Sequence, residues 1–114
     1  MKAFKFIAAL SIVLTAMSFQ IIKTQINITV RNETGNTEGG VTVQLFEKKE
    51  DYEAEKNAVV EGVTDDKGYI KFKDLKNISY YVIARKDDKD NSGGGEQTGK
   101  LEANKFNKVT IIIQ

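Results

Sequence analysis

With 114 residues the chain forms at most one domain, and it contains no Cys, no His and no Pro. These absences exclude disulfides, thiolate metal sites, a Cys nucleophile, any Ser-His-Asp arrangement and a polyproline stalk. Its 17 basic and 16 acidic residues nearly cancel, which argues against a nucleic-acid partner, because such proteins carry a basic excess on one face.

The first residues read as a targeting segment. Lys2 and Lys5 form a short positive region, Phe6–Ala16 is an apolar run of signal-peptide length, and Ala16-Met17-Ser18 offers small residues for cleavage. The alternative is an uncleaved anchor, but the run is too short to cross about 30 Å of hydrocarbon at about 1.5 Å per residue. The reading is therefore a signal peptide at 1–18, a short lead at 19–25 and one domain at 26–114. It implies a secreted or periplasmic protein with no membrane span after cleavage. No Cys stands near the cleavage point, so a lipoprotein anchor is excluded. Removing Lys2 and Lys5 leaves 15 basic against 16 acidic residues.

Beyond the lead, Ile26-Asn27-Ile28-Thr29-Val30-Arg31 alternates apolar and polar residues, as a half-buried strand does. Asn32–Gly40 is a loop rich in Asn, Thr and Gly. Val41–Phe46 alternates again, burying Val41, Val43 and Leu45 and leaving Phe46 outward or beneath the next segment. In Glu47–Lys56 eight of ten residues are charged. This reads as a solvated connection with one helical turn, with Tyr52 covering the open end of the core. Strand Val59–Thr64, a turn at Asp65–Gly68 and strand Tyr69–Phe72 follow as a hairpin. Gly68 suits a positive φ and Asp65 can accept bonds from the turn amides. Ile70 and Phe72 point inward, Tyr69, Lys71 and Lys73 outward, and Leu75 plugs the bend.

Tyr80–Lys86 is apolar on both faces, which predicts a central strand with its second face partly covered. Asp87–Gln97 is a polar loop containing Gly93–Gly95, Thr98–Leu101 is a short edge strand, and Lys108–Ile113 is a strong final strand. Helical periodicity is sustained nowhere after the signal peptide. The sum is an all-β fold, an antiparallel β-sandwich of six or seven strands.

The run Val63-Thr64-Asp65-Asp66-Lys67-Gly68, followed by Ile70, Phe72, Leu75, Tyr80 and Val82, resembles the prealbumin-like, broadly Ig-like β-sandwiches of carboxypeptidase regulatory-like and Cna protein B-type domains. Asn32–Gly35 with Gly40–Leu45 fits the first hairpin of that pattern. The resemblance covers most of Ile26–Lys86, agrees with a small secreted bacterial protein, and implies the fold far more than any activity. Cna B-type domains commonly carry a Lys–Asn isopeptide bond. Here Arg31 stands at the comparable end of the first strand and cannot act as the amine, and the last strand ends Ile113-Gln114, so no crosslink is expected. The related hydroxyisourate hydrolases depend on histidines, which this chain lacks.

Three groups of residues are candidates for chemistry. Asp88, Asp90 and Ser92, with Gly93 at the turn and Glu96 nearby, resemble half of a Ca²⁺ loop. The twelfth position is Gly99 rather than Glu, and a flexible acidic loop explains the same residues. Tyr69 and Tyr81, with Phe46, could form an aromatic platform for a glycan or protein, or could simply be good strand residues. Asp65, Asp66 and Asp74 could be paired as catalytic acids, but turn chemistry already accounts for them. Asn27, Asn32 and Asn77 open N-glycosylation triplets, which act only in a eukaryotic host. The expected function is a secreted, non-enzymatic β-sandwich with a structural or protein-binding role and no cofactor. The alternative is a module for a glycan or calcium, using loop 87–96 or the outward tyrosines.

Overall fold

The computed structural model describes residues 23–114. The expected signal peptide at 1–18 and residues 19–22 of the lead lie outside the described residues. The elements are β1 (Gln25–Asn32), β2 (Thr42–Phe46), α1 (Lys49–Ala54), β3 (Val60–Val63), β4 (Tyr69–Phe72), β5 (Ser79–Lys86), β6 (Lys89–Asp90), β7 (Gln97–Lys100) and β8 (Phe106–Ile113). They form two facing sheets. One is three-stranded in the order β4-β1-β8, and the other is five-stranded in the order β3-β2-β5-β6, with β7 also on β5.

Alternation along the strands builds the core. Ile26, Ile28 and Val30 of β1 meet Val43 and Leu45 of β2, Val82 and Ala84 of β5, and Ile111 and Ile113 of β8, all fully buried. A strand's side chains alternate between faces, so the inward rows of the two sheets meet a sheet spacing apart and form the core between them. Tyr80 and Leu101 join this cluster, and Leu75 packs against it at the bend. The Tyr80 hydroxyl accepts a bond from the Lys76 backbone amide at 2.8 Å, which anchors the polar tip of the ring.

Three features depart from the linear reading. First, the turn at Asp65–Gly68 forms as expected. Gly68 has φ +80°, its amide bonds the Asp65 carbonyl at 2.9 Å, and the Asp65 carboxylate accepts the Lys67 and Tyr69 amides at 2.9 and 3.0 Å. It is not a hairpin turn, however. β3 pairs with β2 while β4 pairs with β1, so the turn carries the chain from one sheet to the other. The loop after β1 does the same, because β2 lies in the five-stranded sheet. Second, β8 pairs with β1 in parallel, from Gln25 opposite Phe106 to Asn32 opposite Ile113, whereas every other pairing is antiparallel. Parallel neighbours need a long crossover, and here the rest of the sandwich supplies it.

Third, Tyr52 does not close the end of the core. It lies on the outer face of the five-stranded sheet, edge-on to Phe46 at 6.1 Å and stacked on Tyr81 at 5.3 Å. The helix α1 that carries it has only six residues. Phe46 is thereby fully buried, and Ile83 nearly so. This explains why β5 is apolar on both faces: one faces the core and the other faces Tyr52. Among the described residues no helix is long and apolar enough to cross a membrane.

Candidate functional site

The two sheets have very different outer faces. That of the five-stranded sheet is roofed by α1. That of the three-stranded sheet holds a groove of about 590 Å³, lined on β1 by Asn27 and Thr29, on β4 by Tyr69 and Lys71, and on β8 by Lys108 and Thr110. This lies within the range of about 300–1,000 Å³ usual for small-ligand sites.

Register places these residues in rows. Asn27 stands between Lys71 and Lys108, and Thr29 between Tyr69 and Thr110. With neighbouring strands about 4.8 Å apart, the two lysine Cα atoms are about 10 Å apart. Arg31 and Ile112 extend the face, and at the other end Gln25 stands opposite Phe106. No outward position of β1, β4 or β8 is an Asp or Glu. Asp65, at the rim of the groove, spends one oxygen on two turn amides.

The charges here are unpaired. Among the described residues neither Lys71 nor Lys108 has a carboxylate within ion-pair distance, whereas Lys23, Lys76, Lys86 and Lys89 each do. Residues 1–22 contain no Asp or Glu that could serve. Arg31 donates to the Gly35 carbonyl at 2.8 Å. Down the middle strand, the Gln25 Oε1 and Asn27 Oδ1 atoms are shielded from solvent with no hydrogen-bond donor among the described residues. Buried amide oxygens are normally bonded, so two in consecutive outward positions of one strand form an unusual pair. Tyr69 remains 48% exposed and Phe106 55% exposed.

The site residues expected from sequence are dispersed. Tyr69 belongs to this groove. Tyr81 lies on the opposite side of the molecule, half-buried beneath Tyr52, so the two tyrosines do not form one platform. Burial, and then the charge of Glu96, push the Tyr52 phenol above its ordinary pKa. A smaller depression of about 200 Å³, lined in part by Tyr52, Glu55, Arg85 and Asp90, flanks this aromatic stack; Arg85 pairs with Glu55 there at 2.7 Å.

In the calcium candidate, Asp88 lies in the tight turn between β5 and β6, where Lys86 pairs with Lys89. The Asp90 carboxylate accepts the Ser92 amide at 3.0 Å, and that bond holds it below the usual carboxylate range. Glu96 is exposed further along the loop, where its backbone carbonyl accepts the Val82 amide at 2.9 Å. Among the described residues no three acidic side chains gather at metal-binding spacing. Of the acids considered for catalysis, Asp65 serves the turn and Asp74 pairs with Lys23 at 3.1 Å.

Two features were missed by the linear reading. Balanced overall charge concealed a face carrying Lys71, Lys108 and Arg31 with no acid among its strand positions. The sequence signal was present in the alternation that sends Lys71 and Lys108 outward, but nothing local says that both strands flank β1. The second is Asn91, 5% exposed. Its side chain accepts the Ala84 amide at 3.0 Å and donates to the Val82 and Gly95 carbonyls at 2.9 Å. It thus fills the gap along β5 between the short partners β6 and β7. No protein-family model matches the chain, and no curated protein is significantly similar to it.

Proposed function

We propose that the chain is a non-enzymatic binding module, working outside the cytoplasm, whose recognition surface is the outer face of β4-β1-β8. The observation that carries this reading is the contrast between the two sheets. The five-stranded sheet covers Phe46 and Tyr81 with Tyr52 and leaves only Val63 of its outer apolar residues exposed, at the β3 edge. The three-stranded sheet presents a groove with unpaired cations, threonine hydroxyls and an exposed tyrosine.

A non-catalytic role is supported by the side chains in the groove. They are one amide, hydroxyls, ammonium groups and two apolar side chains, with one carboxylate at the rim, and that carboxylate is already bonded to the backbone. The extracytoplasmic address rests on the N-terminal sequence pattern. Kinship with prealbumin-like domains rests on the Thr64–Gly68 turn and the residues after it.

The test is a titration of the exported chain, followed by amide chemical shifts, with ligands from an array of neutral and acidic glycans. Shifts should concentrate at Thr29, Tyr69, Lys71, Lys108 and Thr110. No hits, or shifts confined to the side that carries α1, would refute the reading. A fusion to a phosphatase that folds only in an oxidising compartment tests the address, with activity expected and inactivity refuting it.

A further inference from the structure

The groove has a definite chemical preference. Two ammonium groups on either side of one strand, with no acid between them, call for an anion. Each is exposed and unpaired, so an incoming carboxylate or sulfate gains charge-assisted bonds without displacing an internal partner. Thr29 and Thr110 add hydroxyls that donate or accept. Tyr69 offers a ring face with a polar tip, the surface on which the apolar face of a sugar stacks. Anion, hydroxyl donors and a flat apolar face occur together in an acidic sugar.

We propose that the outer face of the three-stranded sheet binds an acidic saccharide, with its carboxylate or sulfate between Lys71 and Lys108, its hydroxyls bonded to the Thr29 and Thr110 hydroxyls, and a ring lying against Tyr69. This rests on the binding-module reading above and adds the class of ligand. An extended nucleic acid fits less well. The strand positions of this face offer three cations, Lys71, Lys108 and Arg31, whereas single-strand grooves track a phosphate backbone with a continuous basic path and successive stacking rings.

The experiment is calorimetric titration of the exported chain with tetragalacturonate, with its methyl ester as the uncharged counterpart of the same ring skeleton, and with an oligo-dT strand. The uronate should bind, and its affinity should fall as salt is raised from about 0.05 to about 0.5 M, because exposed charges are screened over that range. The ester should bind at least about tenfold more weakly, the loss expected when a charge-assisted contact is removed. The double variant K71Q/K108Q should lose a similar factor, and Tyr69→Ala should lose severalfold through the missing ring. Lys49→Gln, on α1 at the opposite face, should bind as the unaltered chain does. All four substituted positions are exposed, so an unchanged melting temperature serves as the folding control.

Equal binding of acid and ester, or undiminished binding by K71Q/K108Q, would overturn the acidic class. Neutral glycans that shift the same amides would also overturn it while leaving the binding-module reading intact. Absence of any binding would remove both. Tighter binding of oligo-dT than of the uronate would overturn the proposal in favour of nucleic acid.

Discussion

Replacing Asn91 with alanine removes three hydrogen bonds, two to the edge of β5 and one to Gly95. Ala84 and Val82 are fully buried, so the Ala84 amide and the Val82 carbonyl stay dry without their partner, while the exposed Gly95 carbonyl can turn to water. With about 1–3 kcal/mol for each buried group left unsatisfied, the expected loss is about 3 kcal/mol. That is a large share of the roughly 5–15 kcal/mol typical of a domain. Urea denaturation should show a lower midpoint with an unchanged slope, and a loss below about 1 kcal/mol would refute the reasoning.

Asn91→Asp refines the test. Its oxygen can still accept the Ala84 amide, but the other oxygen faces two carbonyls at the positions where Nδ2 donates. Only the protonated acid can donate there, so the folded pKa rises above the unfolded value of about 3.9. Stability should therefore be least impaired below that value and fall as pH rises through the raised folded pKa. The deficit of Asn91→Ala relative to the unaltered chain should stay flat with pH.

The roof over the five-stranded sheet makes a separate prediction. Tyr52→Ala should cost about 2–4 kcal/mol, from lost burial and two aromatic contacts. Hydrogen exchange should quicken in α1 and leave β1 protected; equal loss in both would refute the separation. Gly94→Ala should destabilise more than its exposure suggests, because a Cβ there would overlap the Ile112 backbone carbonyl. The Ile112 amide, bonded to the Gly94 carbonyl at 2.8 Å, should lose protection, and an unchanged melting curve would contradict the packing. Glu38 accepts a bond from Asn32 and pairs with Lys86 and Lys89, and the Asn32 bond, then Lys86, lower its pKa. A lowered carboxyl pKa stabilises above the unfolded value near 4.5 and loses that contribution as pH falls through the folded value. Glu38→Gln should therefore flatten the acid limb of the stability curve, and an unaltered limb would contradict it.

The strands themselves were legible because period-two alternation is local. Ile26, Ile28 and Val30 announce β1, Tyr69–Phe72 announces β4 with its bounds, and Asp65 and Gly68 announce their turn by side-chain acceptor and positive φ. The apolar second face of β5 correctly predicted a partial cover. The identity of that cover was illegible, because a six-residue helix of mostly charged residues has too little periodicity to declare which face Tyr52 will roof. Asn91 was illegible for a related reason: an amide in a polar loop looks the same whether it meets water or replaces a strand.

By itself the sequence determined which residues turn inward and which outward, along with the chemistry that lacks Cys and His. Those follow from bonds between near neighbours and from composition. Only the tertiary structure decided that β3 and β4 part into different sheets, that β8 runs parallel beside β1, and that Lys71 and Lys108 flank Asn27 as one row. Pairing between distant strands is set by which arrangement buries all the inward side chains at once. That is a property of the whole chain, and the basic groove exists only once it is satisfied.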